Sequence, residues 1–444
     1  MERWAKTRFH ITTNGLFELY IDGEKKHSKN KEGLTEEIIS TELHQGKHLV
    51  GLKLLSTGGQ LKLHSTMSWS GDFTNLTATH TLEPSRSLTI NDILEGPDIQ
   101  SASISSSGKY ALVSYSDIQP GSGKGMKYTV VKNLDKMTNT AVFRNQDIEH
   151  VHWLPGSDRL SYAVKFNDTY HFYLYDIATA QETEIATLSG NLQGYSWAPD
   201  ETYLVYSVKQ EAQDPGSLKR IFGNEDRIPG FRDRTYLHLL NVESGHSHQI
   251  TAGNLSTNLH DIRHDSKKLL FSTPHINYSE TPFYKQNLYE LDVNSLQIDT
   301  IWKNKKFRAQ AEYSPEGTRL LVQGAPEFFG DAGVNVPDHM TPNNFDEQLY
   351  LYSLSTGVAK PITKSFSPSV NAASWHDQNQ IYLSVTEKDY VGLYVYHTDD
   401  AKFNKIPLET EVIREFDLSE KGKKAIYAGS SMTTPEKLYT LNLQ

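Results

Sequence analysis

Few residues of this sequence stand in an arrangement that could catalyse a reaction. A serine hydrolase of the α/β type needs the pattern Gly-x-Ser-x-Gly, whose small residues permit a strained turn between a strand and a helix. That pattern does not occur, and the nearest approach, Gly245–Gln249 (GHSHQ), lacks the second glycine and precedes no helical pattern. We therefore interpret Ser247 as a turn residue, and no catalytic residue is assigned to this chain.

Two further patterns resemble binding motifs but lack residues that those motifs need. The segment Gly121–Gly125 (GSGKG) has neither the upstream glycine of a phosphate-binding loop nor a Ser or Thr after its lysine, so we expect a hairpin tip. His260 and His264 are four residues apart, which suits zinc only on a helix, and their surroundings predict a strand and a turn. Cysteine is absent, and no calcium-loop spacing occurs. No metal ion and no cofactor are predicted.

Two long polar segments are the strongest candidates for binding. Segment 214–234 has dense charges of both signs and a Pro-Gly bend, and segment 325–346 combines aromatic and acidic residues with Gly and Pro. Each is either a surface loop held by local salt bridges or a loop that reaches a substrate or a partner domain. The candidate substrate or partner contacts are Glu225, Asp226, Arg227, Arg232, Arg234, Phe328, Phe329 and Asp331.

Both segments interrupt a repeat that organises most of the chain. Each copy begins with an apolar or aromatic residue, continues through a short turn and ends in an alternating apolar strand. Most steps between copies match the roughly 40–50 residues of a propeller blade, and the two longer steps contain the insertions. Four short strands per copy form a blade that neighbouring blades must cover, so seven copies predict a seven-bladed β-propeller, with a degenerate eighth blade left open. The copies are Ile104–Val113, Trp153–Tyr162, Trp197–Tyr206, Ile262–Phe271, Tyr313–Val322, Trp375–Leu383 and Leu418–Tyr427.

The N-terminal residues 1–86 do not follow the repeat. Phe9–Glu24 alternates with period two and contains an Asp-Gly hairpin turn, and Ile38–Leu43 and 48–55 alternate similarly. The sequence therefore predicts an all-β protein, in which a small accessory β-sandwich precedes a β-propeller at 87–444. Because Met1 enters the first strand almost at once, a truncated sandwich is left open.

Composition restricts the class of partner. The 24 Tyr, 17 Phe and 6 Trp favour strands, and the net charge of −10 argues against nucleic acid. No apolar run reaches about 18 residues, so no membrane span is expected. Residues 1–20 lack the order of a signal peptide. The expected location is cytoplasmic, or periplasmic or secreted if a leader has been removed, and an oligomer is left open.

Three stretches of the repeat region resemble the propellers of bacterial prolyl oligopeptidase-family enzymes. They are Leu88–Tyr110, Gly230–Tyr236 (GFRDRTY) and Gly429–Tyr439 (GSSMTTPEKLY), and the resemblance extends over 88–444. It implies a chain that continues into a C-terminal α/β-hydrolase domain, which supplies Ser, Asp and His while the propeller covers the active site and filters peptide substrates by size. No position of this sequence matches that triad.

The resemblance also bears on the acidic pair Glu225 and Asp226. Dipeptidyl-peptidase-type members of this family hold the substrate amino terminus with two acidic propeller residues, but the context of this pair does not match, and the role is not transferred. The leading hypothesis is a non-catalytic propeller that gates and positions peptides and docks a hydrolase domain. The alternatives are a self-standing propeller that binds a protein, as in periplasmic Tol systems, and a propeller polysaccharide lyase, which needs clustered His, Arg or metal ligands.

Overall fold

The fold is known from a computed structural model and is all-β, as predicted. Its strands pair in antiparallel fashion, except for one parallel contact between Val391 and Val412. The chain divides into two compact units, Met1–Asp98 with Tyr115–Lys127, and Ile99–Ser114 with Tyr128–Gln444. Among the described residues, no helix is long and apolar enough to cross a membrane. The structure describes residues 4–44, 48–55, 60–70, 78, 94, 96–118, 123–144, 148–214, 216–218, 223, 227–421 and 423–443.

The first unit contains two three-stranded antiparallel sheets. Its strands are β1 (Ala5–Thr13), β2 (Leu16–Ile21), β3 (Glu24–Lys29), β4 (Thr35–Leu43), β5 (Val50–Leu55) and β6 (Leu63–Ser70). The sheet orders are β4-β1-β6 and β3-β2-β5. Period-two alternation directs one face of each sheet inward, so that Phe9 and Ile11 of β1 meet Phe17, Leu19 and Ile21 of β2 in one buried core.

Seven consecutive blades follow, which confirms the predicted β-propeller. They lie in the second unit, except that Asp98 and residues 115–118 and 125–127 of blade 1 cluster with the first. Blade 1 contains β7 (Asp98–Ile104), β8 (Tyr110–Ile118), β9 (Gly125–Asn133) and β10 (Thr138–Phe143), and blade 2 contains β11 (Ile148–Trp153), β12 (Arg159–Phe166), β13 (Thr169–Asp176) and β14 (Gln181–Ser189). Blade 3 contains β15 (Asn191–Trp197), β16 (Tyr203–Gln210), β17 (Arg234–Asn241) and β18 (Ser247–Gln249), and blade 4 contains β19 (Asn258–Ile262), β20 (Lys268–Ile276), β21 (Tyr284–Asp292) and β22 (Ile298–Lys306). Blade 5 contains β23 (Ala309–Tyr313), β24 (Arg319–Gly324), β25 (Gln348–Ser353) and β26 (Ala359–Pro361), and blade 6 contains β27 (Ser369–Trp375), β28 (Gln380–Glu387), β29 (Tyr390–His397) and β30 (Lys402–Ile406). Blade 7 contains β31 (Val412–Leu418), β32 (Lys424–Ser431) and β33 (Thr434–Asn442).

The repeated turn of the sequence closes the first hairpin of each blade. In all but one blade, the backbone N–H just after the first strand donates to a carbonyl five residues further on. This bond joins Ser105 to Tyr110, Leu154 to Arg159, Ala198 to Tyr203, Arg263 to Lys268, Ser314 to Arg319 and Ser419 to Lys424. In blade 6 the turn is one residue shorter and joins His376 to Gln380. The recurring Ser, Pro, Asp and Gly residues are those that favour such turns.

The ring closes mainly through side chains, because the described strands of blades 1 and 7 form separate sheets with no strand in common. One backbone bond, from the N–H of Lys421 to the carbonyl of Ser106 at 2.9 Å, joins the turns of the two blades. Asp417 Oδ2 of blade 7 accepts a hydrogen bond from the backbone N–H of Ile104 in blade 1 at 2.8 Å. Glu436 accepts one from the N–H of Ile99 at 3.3 Å, and Arg414 Nη2 donates to the Ile99 carbonyl at 2.5 Å. Closure therefore depends on a few polar contacts to the backbone of blade 1.

Substituting Asp417 tests this closure. We expect Asp417→Ala to lower the free energy of unfolding by about 1–3 kcal/mol, because the N–H groups of Ile104 and Leu418 both lose their acceptor. Urea unfolding followed by tryptophan fluorescence measures the change. Asp399→Ala, on an exposed turn, is the control and should remain within about 0.5 kcal/mol of wild type. Equal effects of the two substitutions would contradict the closure role.

Candidate functional site

Both insertions lie on the same face of the propeller. Successive strands of a blade are antiparallel neighbours, so the connections between second and third strands of all blades emerge on one face, which we term the loop face. The first insertion connects β16 to β17, and the second connects β24 to β25. Segments that are far apart in the sequence therefore border the same side of the ring, where loops on a rigid scaffold commonly bind ligands.

The base of the first insertion is fixed by charged residues. Asp233 pairs with Lys209 Nζ at 2.9 Å and accepts the backbone N–H of Ala212 at 3.1 Å. Arg234 Nε donates to the Asn254 carbonyl at 2.6 Å, and its Nη1 donates to two further carbonyls within the insertion. The candidate Arg234 thus anchors the base of the loop through hydrogen bonds to backbone carbonyls.

The other candidates of this insertion are placed differently. Arg227 and Arg232 are exposed on the loop face. Gly230 has a φ of 70°, a left-handed conformation that glycine adopts without strain, and it forms the bend expected after Pro229. Glu225 and Asp226 lie outside the described residues.

The second insertion is anchored by aromatic residues. Phe328 is 1% exposed and packs edge-on against Trp302, with ring centroids 5.5 Å apart. Phe329 also packs edge-on against Trp302, at 5.7 Å. The hydroxyl of Tyr350 donates to the carbonyl of Ala325 at 2.9 Å. Phe328 therefore belongs to the core between blades 4 and 5, Phe329 packs against that core, and both hold the insertion in place.

The outer part of the second insertion carries the accessible groups. Asp331 lies on a short 3-10 helix, Gly330–Gly333, and is exposed. Phe345 is 96% exposed, and Met340 is also exposed. Sequence reasoning did not single out Phe345, because an aromatic residue next to a strand is more often buried, and its exposure follows only from the path of the loop.

Two phenylalanine substitutions distinguish the residue that anchors the second insertion from the residue that it exposes to solvent. Phe328→Ala should lower the free energy of unfolding by about 3–5 kcal/mol, since it leaves a cavity in a packed aromatic core. Phe345→Ala removes a side chain with little packing and should change it by less than about 0.5 kcal/mol. Thermal and urea unfolding measure both. A large loss for Phe345→Ala would mean that the tip of the insertion is packed against other residues.

The first strands of the blades form the inner wall of the ring, where the residue just before each repeat copy has a recurring role. Asp261 accepts the N–H of its neighbour Ile262 at 2.8 Å and that of Tyr313 in the next blade at 2.7 Å. Asp417 repeats this geometry at the closure between blades 7 and 1. Glu312 accepts the N–H of Trp375 at 2.9 Å. Three carboxyl groups therefore each connect one blade to the next.

Burial changes the ionisation of these groups. Desolvation raises the pKa of Asp261 to about 6, although the N–H groups of Tyr313 and Ile262 oppose the shift. Asp417 is raised to a pKa of about 6 for the same reason. Desolvation raises the pKa of Glu312 to about 8, and the negative charge of Asp261 adds to the shift. At neutral pH the wall therefore holds a protonated Glu312 beside ionised aspartates.

A cleft of about 160 Å³ opens in this wall. It brings together side chains from the inner strands of blades 4, 5 and 6 and from two further strands of blade 5. The lining residues are His260, Gln310, Ala311, Glu312, Leu321, Gln323, Leu349 and Ala373. In the part of the chain that the structure describes, no group of three or more His, Asp or Glu residues is placed to hold a metal ion. His264, on an exposed turn, is absent from this lining.

Sequence reasoning missed this wall. The residues before the copies are Ser103, His152, Ser196, Asp261, Glu312, Ser374 and Asp417. A carboxyl at one repeat position in three copies is a usable signal, because equivalent positions of a propeller converge on the central axis. Comparing the copies only from their first apolar residue through the turn, which lies two or three positions after these residues, left this position out.

Glu312 gives a pH-dependent prediction. A carboxyl whose pKa is raised by folding contributes to stability below its ordinary pKa of about 4.3, and that contribution is lost as the pH rises through about 8. The wild-type melting temperature should therefore fall between pH 6 and pH 9.5. The melting temperature of Glu312→Gln should fall less over this range, because its amide does not ionise while its carbonyl still accepts the Trp375 N–H. Exposed Glu243→Gln is the control and should follow wild type. Parallel curves for all three proteins would contradict a buried, protonated Glu312.

These features define the class of the protein as a seven-bladed β-propeller with a polar inner wall and long connections on one face. No protein-family model matches the sequence, and no curated protein matches it. Solved structures do resemble it, all at low sequence identity, so that the similarity concerns the fold.

These include three structures with TM-scores above 0.5. The acylaminoacyl peptidase of Pyrococcus horikoshii has a TM-score of 0.58 and 17% identity, over 78% of this chain and 51% of that one. The β-propeller domain of the Trilobed protease from Pyrococcus furiosus, described as having an open velcro topology, has a TM-score of 0.55 and 16% identity, over 78% and 92%. An oligogalacturonate lyase in complex with manganese has a TM-score of 0.52 and 13% identity, over 78% and 88%. The matched region thus spans about half the length of the acylaminoacyl peptidase.

Proposed function

We propose that this chain is the non-catalytic propeller of a serine peptidase of the prolyl oligopeptidase type, which positions and gates peptide substrates and docks a catalytic α/β-hydrolase domain. The observation that carries the proposal is an accumulation of exposed apolar side chains on the loop face. Soluble proteins rarely expose apolar groups in such a concentration unless they bind another surface.

The apolar side chains recur at the tips of successive blades. Met432 is 94% exposed at the tip of blade 7, and Phe345 is 96% exposed on the second insertion. On the opposite face, the turns after the first strands consist mainly of Ser, Pro, Asp and Gly, and the turns after the third strands expose fewer apolar residues, namely Met137, Leu296 and Val358. The exposed apolar residues at or beside the loop-face connections are Phe166, Leu218, Ile228, Tyr278, Phe283, Tyr284, Met340, Phe345, Tyr390 and Met432.

A ring of such tips suits a broad protein partner better than a small ligand. The tips surround the mouth of the ring, so a partner that rests on them covers the inner wall without filling it. A hydrolase domain docked there would receive only substrates that pass the ring or the gap beside it. The similarity of the fold to propellers of peptidases supports this partner.

A self-standing binding propeller is the second candidate, because the same apolar tips would fit any large protein surface. The lyase is less well supported. The inner wall presents the carboxylates of Asp261 and Asp417, and the chain has a net charge of −10, so an anionic polysaccharide would be repelled.

The proposal is tested first on the gene and then on its natural product. We expect the coding sequence downstream of Gln444 to continue for roughly 200 residues or more and to contain Gly-x-Ser-x-Gly followed by Asp and His. The natural protein should cleave short chromogenic peptides and leave folded proteins intact. A stop codon at this point, together with no hydrolysis, would overturn the peptidase assignment and leave the binding propeller.

A loop-face variant then tests docking. Phe345→Ser combined with Met432→Ser should weaken the contact between the domains, so that discrimination between short peptides and longer polypeptides falls several-fold in kcat/KM. The matched control, Met137→Ser combined with Val358→Ser, alters exposed apolar residues on connections of the opposite face and should leave discrimination unchanged. Equal effects of the two double variants would contradict docking on the loop face.

A further inference from the structure

The cleft in the inner wall has an ordered arrangement of polar and apolar side chains. Strand pairing places Gln310 directly opposite Gln323, and Glu312 directly opposite Leu321. Directly opposed residues of an antiparallel pair point to the same face of the sheet. One face of blade 5 therefore presents two amides, a carboxyl group and an aliphatic side chain to the same space of about 160 Å³.

His260 supplies a hydrogen-bond donor at the edge of this space. Its Nδ1 accepts the backbone N–H of Ala311 at 3.1 Å. Burial lowers the pKa of His260 to about 4, so the ring is neutral at physiological pH. A neutral imidazole that accepts at Nδ1 carries its proton on Nε2. This second nitrogen is therefore available to donate.

Gln323 supplies an acceptor whose orientation is fixed. Its Nε2 donates to Glu347 Oε2 at 2.9 Å and to the backbone carbonyl of Asn371 at 3.2 Å. These two bonds use both amide hydrogens and settle which end of the amide is nitrogen. Its carbonyl oxygen remains available to accept a hydrogen bond.

Glu312 and Gln310 add groups that both donate and accept. One oxygen of Glu312 holds the N–H of Trp375, and the other accepts no hydrogen bond from any described residue. Because burial raises the pKa of this carboxyl to about 8, it is protonated at neutral pH and can donate. The exposed Gln310 contributes a complete carboxamide.

The combination points to an uncharged ligand. None of the lining residues is Lys or Arg, so an anion would find no counter-charge, and a protonated Glu312 offers none to a cation. A peptide amide has one N–H and one C=O, which the acceptor of Gln323 and the donor of His260 can satisfy together. Leu321, Leu349 and Ala373 form an apolar side suited to an aliphatic side chain.

We propose that this cleft binds a main-chain amide of a peptide together with one small aliphatic side chain. The inference rests on the proposed function, since a peptide that passes the ring would meet the cleft on its way. The space would hold roughly five water molecules at ~30 Å³ each, and a short amide segment would displace them while replacing their hydrogen bonds.

The test uses the 444-residue chain and three leucine derivatives. The probes are neutral N-acetyl-leucine methylamide, anionic N-acetyl-leucine and cationic leucine methylamide, titrated by NMR at pH 7. We expect the neutral probe to bind best, with a dissociation constant in the millimolar range. Tighter binding of either charged probe, or of neutral methyl glucoside, would overturn the inference.

Variants locate the binding in the cleft. Gln310→Leu, at an exposed position that should not impair folding, and Gln323→Leu should each weaken binding of the neutral probe by about tenfold. Glu312→Gln should retain it within about threefold, because a carboxamide also donates and accepts. Gln378→Leu, on an exposed turn outside the cleft, is the control. A loss as large in the control as in Gln310→Leu would overturn the inference.

The outcomes also separate this inference from the proposed function. If the wild-type chain does not bind the neutral amide while the natural protein hydrolyses short peptides, the cleft inference fails and the peptidase function stands. If the chain binds the amide as expected and the gene ends at Gln444 with no hydrolysis, the cleft is a peptide site of a binding propeller. In that case the proposed peptidase function fails and the cleft inference stands.

Discussion

The structure depends on how the backbone of the innermost strands is satisfied where no strand can pair with it. The first strands of blades 1, 5 and 6, β7, β23 and β27, are edge strands, and the outer N–H groups of an edge strand need acceptors when they are buried. A strand shared between two blades could close the ring only where its two ends meet, and it could not satisfy the N–H groups at the other blades. Side-chain carboxyls instead accept these N–H groups from the preceding blade, at Asp261, Glu312 and Asp417.

This solution places acidic groups where a binding propeller needs a polar wall. Glu312 uses one oxygen to hold blade 6 and presents the other to the cleft, so one residue joins structure and recognition. Ionisation would place a charge on a partly buried carboxyl whose second oxygen accepts no hydrogen bond from any described residue, and desolvation opposes this. The neutral state of Glu312 is therefore a consequence of how the blades pack, and no additional interaction is needed to keep it uncharged.

The sequence predicts the blades well because each blade is local. The turn hydrogen bond spans five residues, and the alternating strand follows at once, so every copy can be recognised alone. The insertions are located by their excess length. The inner wall could not be found in this way, since Asp261 and Glu312 meet only when the ring closes, and their roles depend on the unpaired backbone of another blade. Likewise, the composition of 325–346 did not distinguish the buried Phe328 from the exposed Phe345.

The fold of this chain accounts for its stability more fully than it determines its function. Structures with the same propeller at 13–17% identity include peptidases and a lyase, so the arrangement of blades cannot choose between them. The choice lies in surfaces that the fold leaves free, namely the tips of the loop face and the side chains of the inner wall. Apolar tips favour a protein partner, and an acidic wall with a neutral, amide-rich cleft favours a peptide over a polyanion. These two surfaces belong to different strand positions, so they can change independently. Because both nevertheless suit a peptide and its protein partner, their agreement is the strongest argument for the proposed peptide-handling role.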